Sequence, residues 1–122
     1  MPAWNAARGC AQIETLPNVV ETKRALAERY QTAFDGVEGV RFLSEPEWST
    51  SNYWLNTLVL DDDSGEAQRA LLELTNSGGI MTRPAWTPLH MLPLFSDCPK
   101  MDLTTTESMA RRVVNIPSTA SL

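Results

Sequence analysis

Eight consecutive residues, Tyr53-Trp54-Leu55-Asn56-Thr57-Leu58-Val59-Leu60, constrain the fold of this chain more than any other stretch. Their aromatic and β-branched content predicts a strand. Side chains alternate along a strand, so Tyr53, Leu55, Thr57 and Val59 share one face while Trp54, Asn56, Leu58 and Leu60 share the other. Both faces are largely apolar, whereas a sheet wetted on one side shows a clean apolar–polar alternation. This strand needs cover on both sides. A chain of 122 residues can build one such core, so residues 1–122 are expected to form a single domain.

The cover has to come from helices. Residues 5–35 read as helical: Ala6, Cys10, Ile13 and Leu16 recur at three- or four-residue spacing, and Val19 or Val20, Leu26, Tyr30 and Phe34 form a second series. Pro17 lies between the two series and predicts a break or kink. Gly36 supplies a stop. Val40–Leu43 reads as a short strand and residues 45–51 as a loop. Asp63 and Glu66 resemble a capping box opening a helix with Ala67, Leu71 and Leu74 on one face, closed by Gly78-Gly79. Ile80–Arg83 is a short strand halted by Pro84. Residues 84–101 hold Pro84, Pro88, Pro93 and Pro99 among Trp86, Leu89, Leu92, Leu94 and Phe95, which predicts an irregular, packed apolar loop. Thr104 and Glu107 suggest a second capping box, and Val114–Ile116 a terminal extended piece. The order is α+β: a small, mostly antiparallel sheet covered by helices.

Charge narrows the partners. Net charge is −5 and the ten basic residues are scattered, which argues against a nucleic-acid face. Asp61-Asp62-Asp63 lacks the spaced ligands of a calcium loop and reads as a solvated turn before a helix. No apolar run approaches the roughly 18 residues that would span a membrane, and the N-terminus has no signal-peptide pattern. Cys10 and Cys98 match no metal or redox spacing; buried or idle thiols in a reducing cytoplasm are expected.

No catalytic constellation is visible. The chain has one histidine, His90, and two lysines, Lys23 on a charged helix surface and Lys100 in a loop. Neither lysine has an implied apolar pocket to make it nucleophilic. The segment Thr82–His90 is different in texture: it sets a guanidinium, an indole and an imidazole in one proline-stiffened loop. Arg83 could pair with phosphate and Trp86 could stack on a base or cover a sugar face. The alternative is a core loop with Trp86 buried and Arg83 capping carbonyls.

Five motifs carry a resemblance. Met1-Pro2, Asn5-Ala6-Ala7, Gly9, Ala11-Gln12 and Glu14 form the first; Lys23-Arg24 with Arg29-Tyr30 the second; Ser51-Asn52-Tyr53-Trp54-Leu55 the third. Gly79-Ile80-Met81-Thr82-Arg83-Pro84 with Trp86 and Pro88-Leu89-His90 is the fourth, and Val114-Asn115-Ile116-Pro117-Ser118 the fifth. In this order and spacing they resemble the C-terminal small domain of DegT-type, pyridoxal-phosphate-dependent nucleotide-sugar aminotransferases, nearest the subgroup for UDP-linked 4-keto sugars on routes to bacillosamine or legionaminic-type sugars.

The resemblance implies a fold-type I enzyme working as a homodimer in bacterial surface-polysaccharide synthesis. It places the Schiff-base lysine and the Asp on the pyridine nitrogen in a large domain ahead of residue 1, so no cofactor is expected in this chain, although the full-length family uses pyridoxal phosphate. It implies weak UDP-sugar binding through Thr82, Arg83, Trp86 and His90, with Ala85-Trp86 standing where many relatives carry a His-Tyr pair. The chain alone is expected to be catalytically incompetent. The alternative is a free-standing, non-catalytic binding or association module that keeps the fold.

Overall fold

The computed structural model describes residues 2–121; Met1, which opens the first matched motif, lies outside the described residues. The elements run α1 (Ala3–Phe34), β1 (Val40–Phe42), β2 (Asn56–Leu60), α2 (Glu66–Ser77), β3 (Arg83–Pro84), α3 (Thr104–Arg112) and β4 (Val113–Ile116), with 3₁₀ turns at Leu89–Met91 and Pro93–Phe95. The four strands form one antiparallel sheet in the order β1-β2-β4-β3. The expected α+β architecture is present.

Strand β2 is central and Val59 and Val114 are fully buried. Leu58, Leu60 and Ile116 face Tyr30 and Phe34 of α1 and Leu71 of α2 across an apolar cavity. Leu58 and Leu60 are buried, and burying a side chain of this size contributes about 1.5–3 kcal/mol. On the opposite face α3 packs against β2, but Leu55 and Thr57 remain partly open. Cover on the second side is therefore incomplete.

Helix α1 runs unbroken through Pro17, contrary to the expected break. A proline removes one hydrogen bond and strains the turn before it, and here the helix absorbs both. Only the second half of α1 meets the sheet. Its buried residues are Leu26 and Ala27, and none from 3 to 19 is buried. Long-range hydrogen bonds fasten that second half. Lys23 Nζ donates to the Trp54 carbonyl (3.4 Å) and to the Ser118 carbonyl, and the Tyr30 hydroxyl donates to the Pro117 carbonyl (3.1 Å).

Other departures have local causes. The ladder of β2 starts at Asn56 rather than Tyr53, because Tyr53 is left-handed at φ +45° and turns the chain. Strand β3 is Arg83–Pro84 rather than residues 80–83; proline fits there because β3 is an edge strand. Neither capping box forms. Asp62 accepts from the Ser64 and Ala67 amides (3.1 and 3.2 Å) and so caps α2, with Gly65 at φ +82° supplying the left-handed entry. Asp102 accepts from the Thr104 amide and hydroxyl (3.2 and 2.7 Å) at the start of α3. The Ser64 hydroxyl (2.8 Å) and then the Ala67 and Ser64 amides hold the Asp62 carboxyl below its usual range, and the Thr104 hydroxyl and then its amide do the same for Asp102. Asp63 instead pairs with Arg111 at 3.1 Å. The thiols of Cys10 and Cys98 are exposed, not buried. Among the described residues no helix is long and apolar enough to cross a membrane.

Candidate functional site

The four residues singled out by sequence divide into two pairs. Thr82 is buried at 5% exposure, and its hydroxyl lies 2.6 Å from that of Thr75 and 3.0 Å from Asn76 Nδ2. Asn76 Nδ2 also donates to the Thr82 carbonyl (3.1 Å). The side chain thus fastens the entry of the loop to the end of α2. His90 plays the matching part further along: its Nε2 donates to Glu107 Oε1 of α3 at 3.1 Å, and its side chain is largely enclosed. Among the described residues this is the one long-range hydrogen bond made from 85–101; the rest span four residues or fewer.

Between these anchors Arg83 and Trp86 face solvent. Arg83 has no carboxylate partner among the described residues, and its Nη2 approaches only the Met81 sulfur at 3.7 Å. Register places Arg83 opposite Asn115, which is opposite Thr57, so the three share the open side of the sheet. Thr57 Oγ1 donates to Asn115 Oδ1 at 2.9 Å. Trp86 is 75% exposed, which overturns the buried-core version of this loop. The loop is less packed than expected: Leu89, Met91 and Leu94 are exposed as well. Trp86 and His90 border adjoining depressions of about 380 and 410 Å³ between the loop and α3, which share Pro88 and Thr106.

Sequence reasoning missed Trp54. Its ring centroid lies 6.2 Å from that of Trp86, and it is 65% exposed. Trp54 follows the left-handed Tyr53 within a motif already matched, and strand periodicity alone sets it on a covered face. A larger cavity, about 520 Å³, lies elsewhere, across the sheet from Arg83. Tyr30, Phe34, Leu60, Leu71 and Ile116 make its walls, and it has few polar groups to orient a ligand.

A separate cluster supports this site from beneath. Arg24 Nη1 and Nη2 donate to the Glu45 carboxylate (3.0 and 2.5 Å), Nη1 also donates to the Ser51 carbonyl, and the guanidinium lies 5.7 Å over the Tyr53 ring. The Glu45 carboxylate also accepts from the Ser51 amide. The hydrogen bonds from Arg24 and then from Ser51 hold the Glu45 carboxyl down at about 2.

Neither lysine fits a pyridoxal phosphate site. The Lys23 ammonium is bonded to two backbone carbonyls, and Lys100 Nζ approaches the Ser96 carbonyl at 3.5 Å on an exposed loop.

The sequence profile described as the DegT/DnrJ/EryC1/StrS aminotransferase family matches residues 1–122. EpsN of Bacillus subtilis, a candidate pyridoxal phosphate-dependent aminotransferase, is 40% identical over 87 residues, covering 71% of this chain and 22% of EpsN. The GDP-perosamine synthase of Vibrio cholerae is 28% identical over 114 residues, covering 93% of this chain and 31% of that protein. The solved structure of the aminotransferase TlmJ from Streptoalloteichus hindustanus superposes with a TM-score of 0.83 at 25% identity, covering 93% of this chain and 30% of TlmJ. The chain spans less than a third of each of these proteins.

Proposed function

The chain belongs to the DegT/DnrJ/EryC1/StrS aminotransferase family, a pyridoxal phosphate-dependent family, and on that premise we propose that it is the C-terminal, substrate-side domain of an aminotransferase acting on a UDP-linked 4-keto sugar. The amino sugar made would serve bacterial surface polysaccharides. The observation that carries this reading is the division of labour in Thr82–His90, inside an end-to-end family match. Thr82 and His90 hold a loop at its two ends, and Arg83 and Trp86 are left free between them. A guanidinium without a protein partner suits a diphosphate, and in a chain of net charge −5 it is a specific rather than a general anion site. The GDP in one relative's name supports a nucleotide-linked substrate; UDP is our assignment, from the likeness of the five motifs together to the UDP-sugar subgroup.

Turnover needs a lysine and a pyridine-nitrogen partner that this chain does not offer, so those groups come from the rest of the enzyme. We place the chain in a homodimer, because the leading half of α1 exposes Trp4 and Ile13 at 78% and 68%. The test is to incubate the chain with pyridoxal phosphate, reduce with borohydride and map its peptides by mass. Neither Lys23 nor Lys100 should take up more than the trace adduct that any surface lysine forms with the free aldehyde. A stoichiometric pyridoxyl adduct on either would place the cofactor chemistry in this chain and overturn the reading.

A further inference from the structure

We infer that Trp54 and Trp86 form a stacking platform for the base of a nucleoside diphosphate, which makes Trp54 a ligand-contacting residue of the site that Arg83 opens. The inference rests on the nucleotide-sugar reading above and adds to it a residue and a role. Trp54 and Trp86 come from separate segments, one ahead of β2 and one after β3. Their rings lie 6.2 Å apart at an interplanar angle of 34°, within ordinary aromatic contact. No ring can enter between them. A flat ligand must therefore seat on their outward faces, and both indoles are mostly open to solvent.

Backbone strain maintains this arrangement. Tyr53 is the one non-glycine residue with positive φ among the described residues. That conformation costs about 1–3 kcal/mol and persists only where surrounding contacts enforce it. Here they do. The Tyr53 ring is buried beneath Arg24, its hydroxyl accepts from the Glu45 amide (3.2 Å), and its own amide donates to Ser51 Oγ (3.0 Å). With Tyr53 turned inward, the next side chain stands out. The Trp54 backbone is then pinned on both sides, its amide donating to Asn52 Oδ1 (3.0 Å) and its carbonyl accepting from Lys23 Nζ (3.4 Å). Trp86 is bracketed by the Thr82 and His90 anchors. The Trp54 backbone is thus fixed before any ligand arrives, which lowers the entropic cost of binding. Stacking on such a surface is worth about 1–3 kcal/mol per base and tolerates different bases, while Arg83 supplies the charge for the diphosphate.

The test uses the isotope-labelled chain, following its backbone amide, Arg83 guanidinium and tryptophan indole N–H signals while adding UDP, or pyrophosphate in a parallel arm. UDP should move the indole signals of both Trp54 and Trp86, and pyrophosphate should move Arg83 while leaving Trp54 in place. Trp54→Ala should weaken UDP binding about tenfold and leave pyrophosphate binding unchanged. Its melting temperature should match the parent, since the side chain is largely exposed. If UDP moves Arg83 and Trp86 but Trp54→Ala binds it as tightly as the parent, the platform is wrong and the nucleotide-sugar reading survives. A silent spectrum at millimolar UDP removes both. A Trp54 signal that follows protein concentration and ignores UDP assigns the pair to a protein interface and also overturns the platform.

Discussion

Thr82 and Arg83 are neighbours with opposite fates, one buried among the polar groups of α2 and the other on the open side of the sheet. The sequence made both look like ligand contacts because it shows side-chain chemistry and not side-chain partners. Asn76 lies six residues from Thr82 and Glu107 seventeen from His90, and nothing local connects either pair. Glu107 in particular was read as half of a capping box, a role that Asp102 fills instead. Glu45 gives the same lesson, since it sat in a loop of no obvious interest. With Arg24 and Ser51 around it, its carboxyl titrates at about 2 rather than at its ordinary 4.5. A carboxyl depressed on folding stabilises the fold above its unfolded value, and that contribution is lost as pH falls through its folded value. Parent and Glu45→Gln should therefore differ in urea midpoint at neutral pH, with the gap closing between pH 4.5 and about 2. A gap that stays constant over that window would show that Glu45 contributes no charge-dependent stability.

At the level of elements, pattern reading succeeded where burial follows periodicity and failed where an end or an edge decided. The α+β order, the antiparallel pairing and the central role of β2 follow from a strand apolar on both faces. The start of β2 did not, because a left-handed tyrosine is set by contacts with Arg24 and Glu45 that lie far off in sequence. The loop after β3 misled in another way. Its prolines and large apolar residues look like packing material, yet most of them are exposed and one long-range hydrogen bond, His90 to Glu107, ties residues 85–101 down. Glu107→Ala should therefore loosen the segment while leaving the sheet alone. Losing a bond worth about 1–1.5 kcal/mol should speed amide exchange at Met91 and Leu92 roughly tenfold, with Val59 and Val114 unchanged. Equal protection in parent and variant would mean that apolar contacts, and not this bond, hold the loop.

For the molecule as a whole, the exposed leading half of α1 is the dominant fact. The 17 helical residues from 3 to 19, roughly 25 Å, extend without burying a residue, and they carry Trp4, Ile13, Leu16 and Val19 in the open. The helix does not fold back to cover its own domain, so that surface is available to another copy. Sedimentation at micromolar concentration should show a dimer, and Ile13→Asp should shift it to monomer by burying a charge in the contact. A clean monomer in the parent would contradict the self-association. The sequence motifs and the family profile agree over the full 122 residues, yet the relatives are about three times as long. The measurement that bears most directly on the central claim is therefore reconstitution. The chain is assayed for amino transfer to a UDP-4-keto sugar, with pyridoxal phosphate and an amino donor, alone and joined to the preceding portion of a family aminotransferase. No amino sugar should form with the chain alone; the joined protein should turn over, and Arg83→Ala should raise its KM at least tenfold. Turnover by the chain alone, or a joined protein that stays folded and inert, would contradict the assignment.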